Sequence, residues 1–68
     1  MNIEEIGSYL LQRRKTLRIS QQELAELSGI SLHSISNLEG GRGNPTLEIL
    51  LKVADTLGVT ITAGVQRI

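Results

Sequence analysis

The sequence predicts a mainly α fold: four short helices packed as a compact domain and followed by a short C-terminal β-strand. Three observations predict it. Apolar residues recur at helical spacing in segments that open on Asn, Ser or Thr. Glycines at positions 29, 40, 41, 43 and 58 interrupt those segments. The last ten residues abandon the helical period for alternation.

The first helix is expected over about 2–17, where Ile3, Ile6, Leu10 and Leu17 share a face and Asn2 with Glu5 forms an N-terminal capping signature. Gly7 weakens it slightly. The second opens on Ser20-Gln21-Gln22-Glu23, a capping box, and runs over Gln21–Ser28 with Leu24, Ala25 and Leu27 as its buried face. Gly29 stops it, because a left-handed C-terminal position costs a side chain about 1 kcal/mol. Ser31 caps a third helix, Leu32–Glu39, whose Ile35 and Leu38 face inward. The run Gly40-Gly41-Arg42-Gly43-Asn44-Pro45 cannot continue it. Asn44 or Thr46 then caps a fourth helix over about 46–57, with Pro45 at or before its first turn. Leu47, Leu50, Ala54 and Leu57 form one face of this helix. Ile49, Leu51 and Val53 add apolar surface that a small bundle does not need.

Beyond Gly58, Val59, Ile61, Ala63 and Val65 alternate with Thr60, Thr62, Gly64 and Gln66, a strand pattern. A lone strand leaves its backbone donors and acceptors unpaired, and the same strand of a second copy across a two-fold axis would satisfy them. A frayed terminus is the alternative. The surplus apolar residues favour a homodimer, with Ile49, Val59, Ile61, Ala63 and Val65 as the dimerisation residues. The expected organisation is therefore a helical domain over 1–58 and a strand or dimerisation segment over 59–68.

Composition narrows the function. A 68-residue domain buries only about 60% of the surface that its unfolded chain exposes, so helix packing or oligomerisation must support it. With no cysteine, disulfides and cysteine-zinc sites are excluded, and no metal-ligand spacing appears. One histidine and carboxylates scattered over separate helices offer no catalytic constellation, so neither an enzyme nor a cofactor is expected. No apolar stretch approaches the roughly 18 residues of a membrane span, and the N-terminus lacks the layout of a signal peptide. A cytoplasmic protein without a membrane partner is expected.

Seven Lys and Arg balance seven Asp and Glu, and net neutrality argues against a polyanionic partner. The cations are nevertheless clustered as Arg13, Arg14, Lys15 and Arg18. Such a cluster is either a solvated helix turn or a polyanion-binding face.

The second and third helices, joined by the tight turn Ser28-Gly29-Ile30-Ser31, form a helix-turn-helix unit. With Ile35 and Leu38 inward, the stripe Leu32, His33, Ser36 and Asn37 must look outward. An amide such as Asn37 can pair with adenine N6 and N7, His33 can donate to guanine N7 or O6, and Leu32 can pack on a thymine methyl.

Ser20-Gln21-Gln22-Glu23-Leu24-Ala25-Glu26-Leu27-Ser28-Gly29-Ile30-Ser31, followed by Ile35-Ser36-Asn37-Leu38-Glu39-Gly40-Gly41, Asn44-Pro45-Thr46-Leu47 and Leu57-Gly58-Val59, resembles the lambda-repressor/Cro-like (XRE-type) family of helix-turn-helix regulators. The resemblance runs from about residue 6 to 59. It implies a double-stranded DNA operator as partner, with the third helix in the major groove and Leu32, His33, Ser36 and Asn37 at base-reading positions. Phosphate contacts are expected from Gln21 and Arg42, with Arg18 and Asn44 as further candidates. Arg14 and Glu39 match a structural ion pair of the family that links the first helix to the third. The C-terminal strand resembles the HipB-type antitoxin branch, which implies a homodimer and, as the alternative to a repressor, a protein that neutralises a cognate toxin.

Overall fold

The computed structural model describes residues 2–64. Four helices, α1 (Ile3–Thr16), α2 (Gln21–Ser28), α3 (Leu32–Glu39) and α4 (Leu47–Thr56), account for the regular structure among those residues. α1 packs on α3, and α2 packs on both α3 and α4. None of these helices is long and apolar enough to cross a membrane.

Each helix starts on a side chain that satisfies an otherwise orphaned amide. Asn2 Oδ1 accepts from the Glu5 amide at 2.9 Å, Ser31 Oγ from Ser34 at 3.1 Å and Thr46 Oγ1 from Ile49 at 3.2 Å. Of the two candidates for α4, Thr46 is therefore the cap. At α2 the capping box closes in both directions: Ser20 Oγ accepts from the Glu23 amide at 3.0 Å, while the Ser20 amide donates to Glu23 Oε1 at 2.9 Å. Caps of this kind contribute about 1 kcal/mol each.

Three helices end in one and the same motif. The residue after the C-cap turns left-handed, its amide and the next donate back to carbonyls of the last turn, and the chain leaves the helix. Gly41 and Arg42 do this at the end of α3, donating to Leu38 at 3.1 Å and Asn37 at 2.8 Å. Gly58 and Val59 do it after α4, donating to Asp55 at 3.1 Å and Ala54 at 2.8 Å. After α1 the left-handed residue is Arg18, with φ 59°, although glycine is the residue ordinarily suited there.

The core comprises Leu10, Leu24, Ile35, Leu38, Val53, Ala54 and Leu57, drawn from all four helices and the α4 C-cap. Several inward assignments differ from the sequence reading. Leu17, the C-cap of α1, is 41% exposed. Leu27 and Leu47 are exposed. α2 buries only Leu24, and Leu47 sits in the first turn of α4, ahead of the segment that meets the core. Val53, expected to be surplus, is a core residue instead. The buried seam of α4 passes through 53, 54 and 57, with Leu50 half-buried beside it. Ile49, expected at a dimer interface, also packs against the core.

Gly7 is buried where α1 crosses α3, and a Cβ there would overlap the Leu38 carbonyl oxygen. Its absent side chain lets the two helices meet. The expected strand is not present over 59–64, where the chain carries no regular secondary structure. Among the described residues there is no second strand to pair with it. Val59 packs on the core, Ile61 and Ala63 are exposed, and Val65 lies outside the described residues.

Candidate nucleic-acid interface

The geometry of the site begins at the turn between α2 and α3. Gly29 adopts φ 73° and its amide closes α2 onto the Ala25 carbonyl at 3.0 Å. Ser28 Oγ donates to the Leu24 carbonyl at 2.7 Å and accepts from the Ile30 amide at 3.2 Å, which fixes the turn from both sides. α3 then leaves with Ile35 and Leu38 buried, so its opposite side faces solvent. On that side Leu32 is 43% exposed and His33 is exposed, while Ser36 and Asn37 are half-buried. The Asn37 amide nitrogen, Nδ2, lies 3.1 Å from His33 Nε2, one helical turn away.

The glycine loop returns to the end of this stripe. Gly43, with φ 76°, is a neighbour of Asn37: an added Cβ would stand 3.9 Å from the Asn37 Cβ, an ordinary contact distance. Arg42 is exposed and its guanidinium folds over Gly40. Asn44 is exposed further along the same loop. Arg42 is therefore held beside Asn37 by its own backbone.

Glu39 joins three elements. Its carboxylate receives Arg14 in a bidentate pair, Nε to Oε2 at 2.6 Å and a terminal guanidinium nitrogen to Oε1 at 3.0 Å. Gln21 Nε2, from the first turn of α2, donates to the same Oε1 at 2.8 Å. The Arg14 and Glu39 side chains are only 12% and 5% exposed. The remaining Arg14 nitrogen donates to the Ile19 carbonyl at 2.8 Å, so the residue also ties down the link between α1 and α2. The hydrogen bond to Glu39 raises the Arg14 pKa above its ordinary value, against a smaller opposing effect of burial.

The basic cluster is thus divided. Arg14 is consumed by Glu39, and Arg13 Nε donates to the Leu57 carbonyl at 2.8 Å, fastening the end of α4 to α1. Lys15 and Arg18 form no ion pair among the described residues. The same is true of Arg42. Among the described residues no group of acidic, histidine or cysteine side chains is placed to hold a metal ion.

Sequence reasoning missed three contacts: the structural use of Arg13, the Gln21 bond to Glu39, and the pairing of His33 with Asn37. Only the last had a local signal, since residues four apart on a helix are neighbours. The first two join residues 44 and 18 positions apart, and no spacing rule reaches that far. The residues expected at a dimer interface lie elsewhere. Val59 and Ile61 line a groove with Ile6, Tyr9 and Arg13 of α1. They also border Leu51 and Asp55 of α4.

Two short helices crossing through a left-handed glycine, the second with a buried apolar face and an outward polar stripe, define a helix-turn-helix domain whose second helix is shaped for a DNA groove. Comparison with known proteins agrees: a helix-turn-helix family model matches residues 10–63, and the chain belongs to the XRE-type helix-turn-helix family of transcriptional regulators. The chain is 40% identical over 57 residues to the cryptic phage CTXphi transcriptional repressor RstR of Vibrio cholerae, covering 84% of this chain and 51% of that one. It is 43% identical over 59 residues to an uncharacterized HTH-type transcriptional regulator of Haemophilus influenzae, covering 87% of this chain and 60% of the relative. A third relative, an uncharacterized HTH-type transcriptional regulator of Sinorhizobium fredii, is 38% identical over 55 residues, which cover 81% of this chain and 71% of the relative. The chain spans about half the length of RstR and three-fifths of the Haemophilus protein.

Proposed function

We propose that this chain is a sequence-specific DNA-binding transcriptional regulator, a homodimeric repressor that inserts α3 into the major groove of a palindromic operator. The observation that carries this reading is the two-sided α3, with Ile35 and Leu38 sealed in the core and Leu32, His33, Ser36 and Asn37 outward. Similarity to RstR, named as a transcriptional repressor, supports it. Asn37 pairs with an adenine edge, His33 donates a ring N–H to guanine, Ser36 adds a hydroxyl, and Leu32 packs on a thymine methyl.

Phosphates are bound by Arg42, Arg18, Asn44 and Gln21. Gln21 keeps one amide hydrogen free after donating to Glu39, so it serves the ion-pair network and a phosphate together. The Arg18 side chain is exposed and forms no ion pair among the described residues, which leaves its charge available to a phosphate.

The helical domain over 1–58 reads DNA and the segment 59–68 dimerises by pairing as a strand with its copy, through Val59, Ile61, Ala63 and Val65. Two-fold symmetry then places the half-sites about 34 Å apart or a multiple of that. Such a protein acts in the cytoplasm and needs no cofactor. A second reading, a HipB-type antitoxin that holds a protein toxin, is favoured by the 66% exposed Tyr9 beside the groove at Ile61.

Selection of bound duplexes from a random pool tests the repressor reading. Enrichment of a palindromic motif by the chain alone is the expected result, and recovery of unselected sequence would overturn it.

A further inference from the structure

The contact between Asn37 and His33 bears on which base Asn37 selects. Nδ2 of Asn37 faces Nε2 of His33 at 3.1 Å. An amide nitrogen only donates, so in this contact Nε2 is the acceptor, which leaves Nδ1 as the nitrogen that carries the ring N–H. On its other side the amide faces Gly43 of the loop, where even an added Cβ would stand no closer than 4.0 Å from Nδ2. The Arg42 amide, donating to the Asn37 carbonyl at 2.8 Å, holds that loop in place. The contact with the His33 ring is therefore the one observed hydrogen bond of this carboxamide among the described residues.

A free carboxamide can present either of two faces to a groove. With one Nδ2 hydrogen bonded to His33, Oδ1 and the second Nδ2 hydrogen remain, an acceptor beside a donor. That pair matches adenine, which offers the N6 amino donor beside the N7 acceptor. If the amide were reversed, Oδ1 would turn toward the ring and the nitrogen outward, offering donors alone, which suits the two acceptors O6 and N7 of guanine.

We infer that His33 is a positioning residue for base selection: by accepting from Asn37 Nδ2 it sets the orientation of the Asn37 carboxamide and so makes Asn37 select adenine over guanine. The inference rests on the base-reading role proposed for Asn37 above. His33 keeps its Nδ1–H for a base contact of its own.

The test is selection from a random duplex pool with the full chain and the variants Asn37→Ala, His33→Ala, His33→Gln and the double variant. The column of the motif that Asn37→Ala randomises is the position read by Asn37. There the wild-type chain prefers adenine, and His33→Ala lowers the adenine-over-guanine ratio by about fivefold or more, the lower end of what a bidentate contact contributes. His33→Gln, whose side-chain oxygen restores an acceptor, retains most of the preference. In the Asn37→Ala background the His33 substitution has no further effect at that column. An unchanged ratio in His33→Ala, or equal loss in His33→Ala and His33→Gln, overturns the inference. A wild-type chain that returns no motif, or an Asn37→Ala variant with every column intact, refutes the base-reading role itself. Both side chains lie on the solvent side of α3, so matched circular dichroism melts certify that the variants are folded.

Discussion

Arg14 and Glu39, 25 residues apart, form a bidentate ion pair that joins α1 to the end of α3, and Gln21 completes it from α2. The pair lies next to the core, at the meeting point of three helices. A carboxylate with three charge-assisted or amide donors loses little by burial, whereas a guanidinium left alone there loses much.

Glu39→Ala is therefore expected to destabilise the domain by about 3 kcal/mol, near the lower end for a broken buried pair because Arg14 keeps some access to water. Glu39→Gln, which retains an oxygen for Arg14 and Gln21, should cost less. Urea denaturation checks the order, and equal effects near zero would contradict it. The pH dependence has a definite sign. Pairing raises Arg14, so its stabilisation is complete below its ordinary pKa and is lost only as pH rises through the higher folded value. The gap in melting temperature between wild type and Arg14→Met should stay constant from about pH 7 to 10.

Gly7→Ala should destabilise although alanine is the better helix former. The propensity gain is about 1 kcal/mol. The new Cβ would overlap the Leu38 carbonyl, and forced separation of packed elements costs typically about 1–3 kcal/mol. With a Cβ–oxygen overlap this severe the cost falls in the upper part of that range, and a net loss of up to about 2 kcal/mol is expected. A higher melting temperature for Gly7→Ala would refute the close approach of α1 and α3.

Two of the left-handed helix ends, Gly58 and Arg18, should respond in opposite directions. Gly58→Ala places a Cβ at φ 70° and should cost about 1 kcal/mol. Arg18→Asn relieves an equivalent penalty at φ 59° and should stabilise by a few tenths to about 1 kcal/mol. Thermal melts of the two variants, shifted to opposite sides of wild type, are the expected result. If Arg18 contacts phosphate, the stabilised variant also binds DNA more weakly.

On DNA, Asn37→Ala should relax the preference at one base pair per half-site by about 1–3 kcal/mol, while Arg42→Ala weakens all sequences alike and reduces the salt slope by about one. Titrations of specific and random duplexes over a range of salt separate the two. A sequence-dependent loss in Arg42→Ala would move that residue from phosphate to base contact.

Deleting residues 60–68 should yield a monomer that binds operator poorly, because that segment is the proposed dimer contact. Sedimentation reads the mass directly. An unchanged dimer mass would shift the interface to another surface, such as the exposed Leu51 side of α4.

The limits of α2 and α3 were legible in the chain because their causes are local. Ser20 and Glu23 cap each other across three residues, Ser31 caps Ser34, and Gly29 turns left-handed without reference to anything distant. The outward stripe of α3 followed from the spacing of Ile35 and Leu38. Burial on the other helices was less readable. Leu27, Leu47 and Val53 are all apolar at plausible spacing, yet only Val53 is covered, and what covers a side chain belongs to a different part of the sequence.

By itself, then, the sequence determined where four helices begin and end and which side of α3 is apolar, since hydrogen bonds and sterics within about four residues decide both. Only the tertiary structure decided that Gly7 is a contact rather than a defect, that Gln21 is bound to Glu39, and that Val53 belongs to the core. Those outcomes depend on surfaces brought together from distant segments, and no local period encodes them.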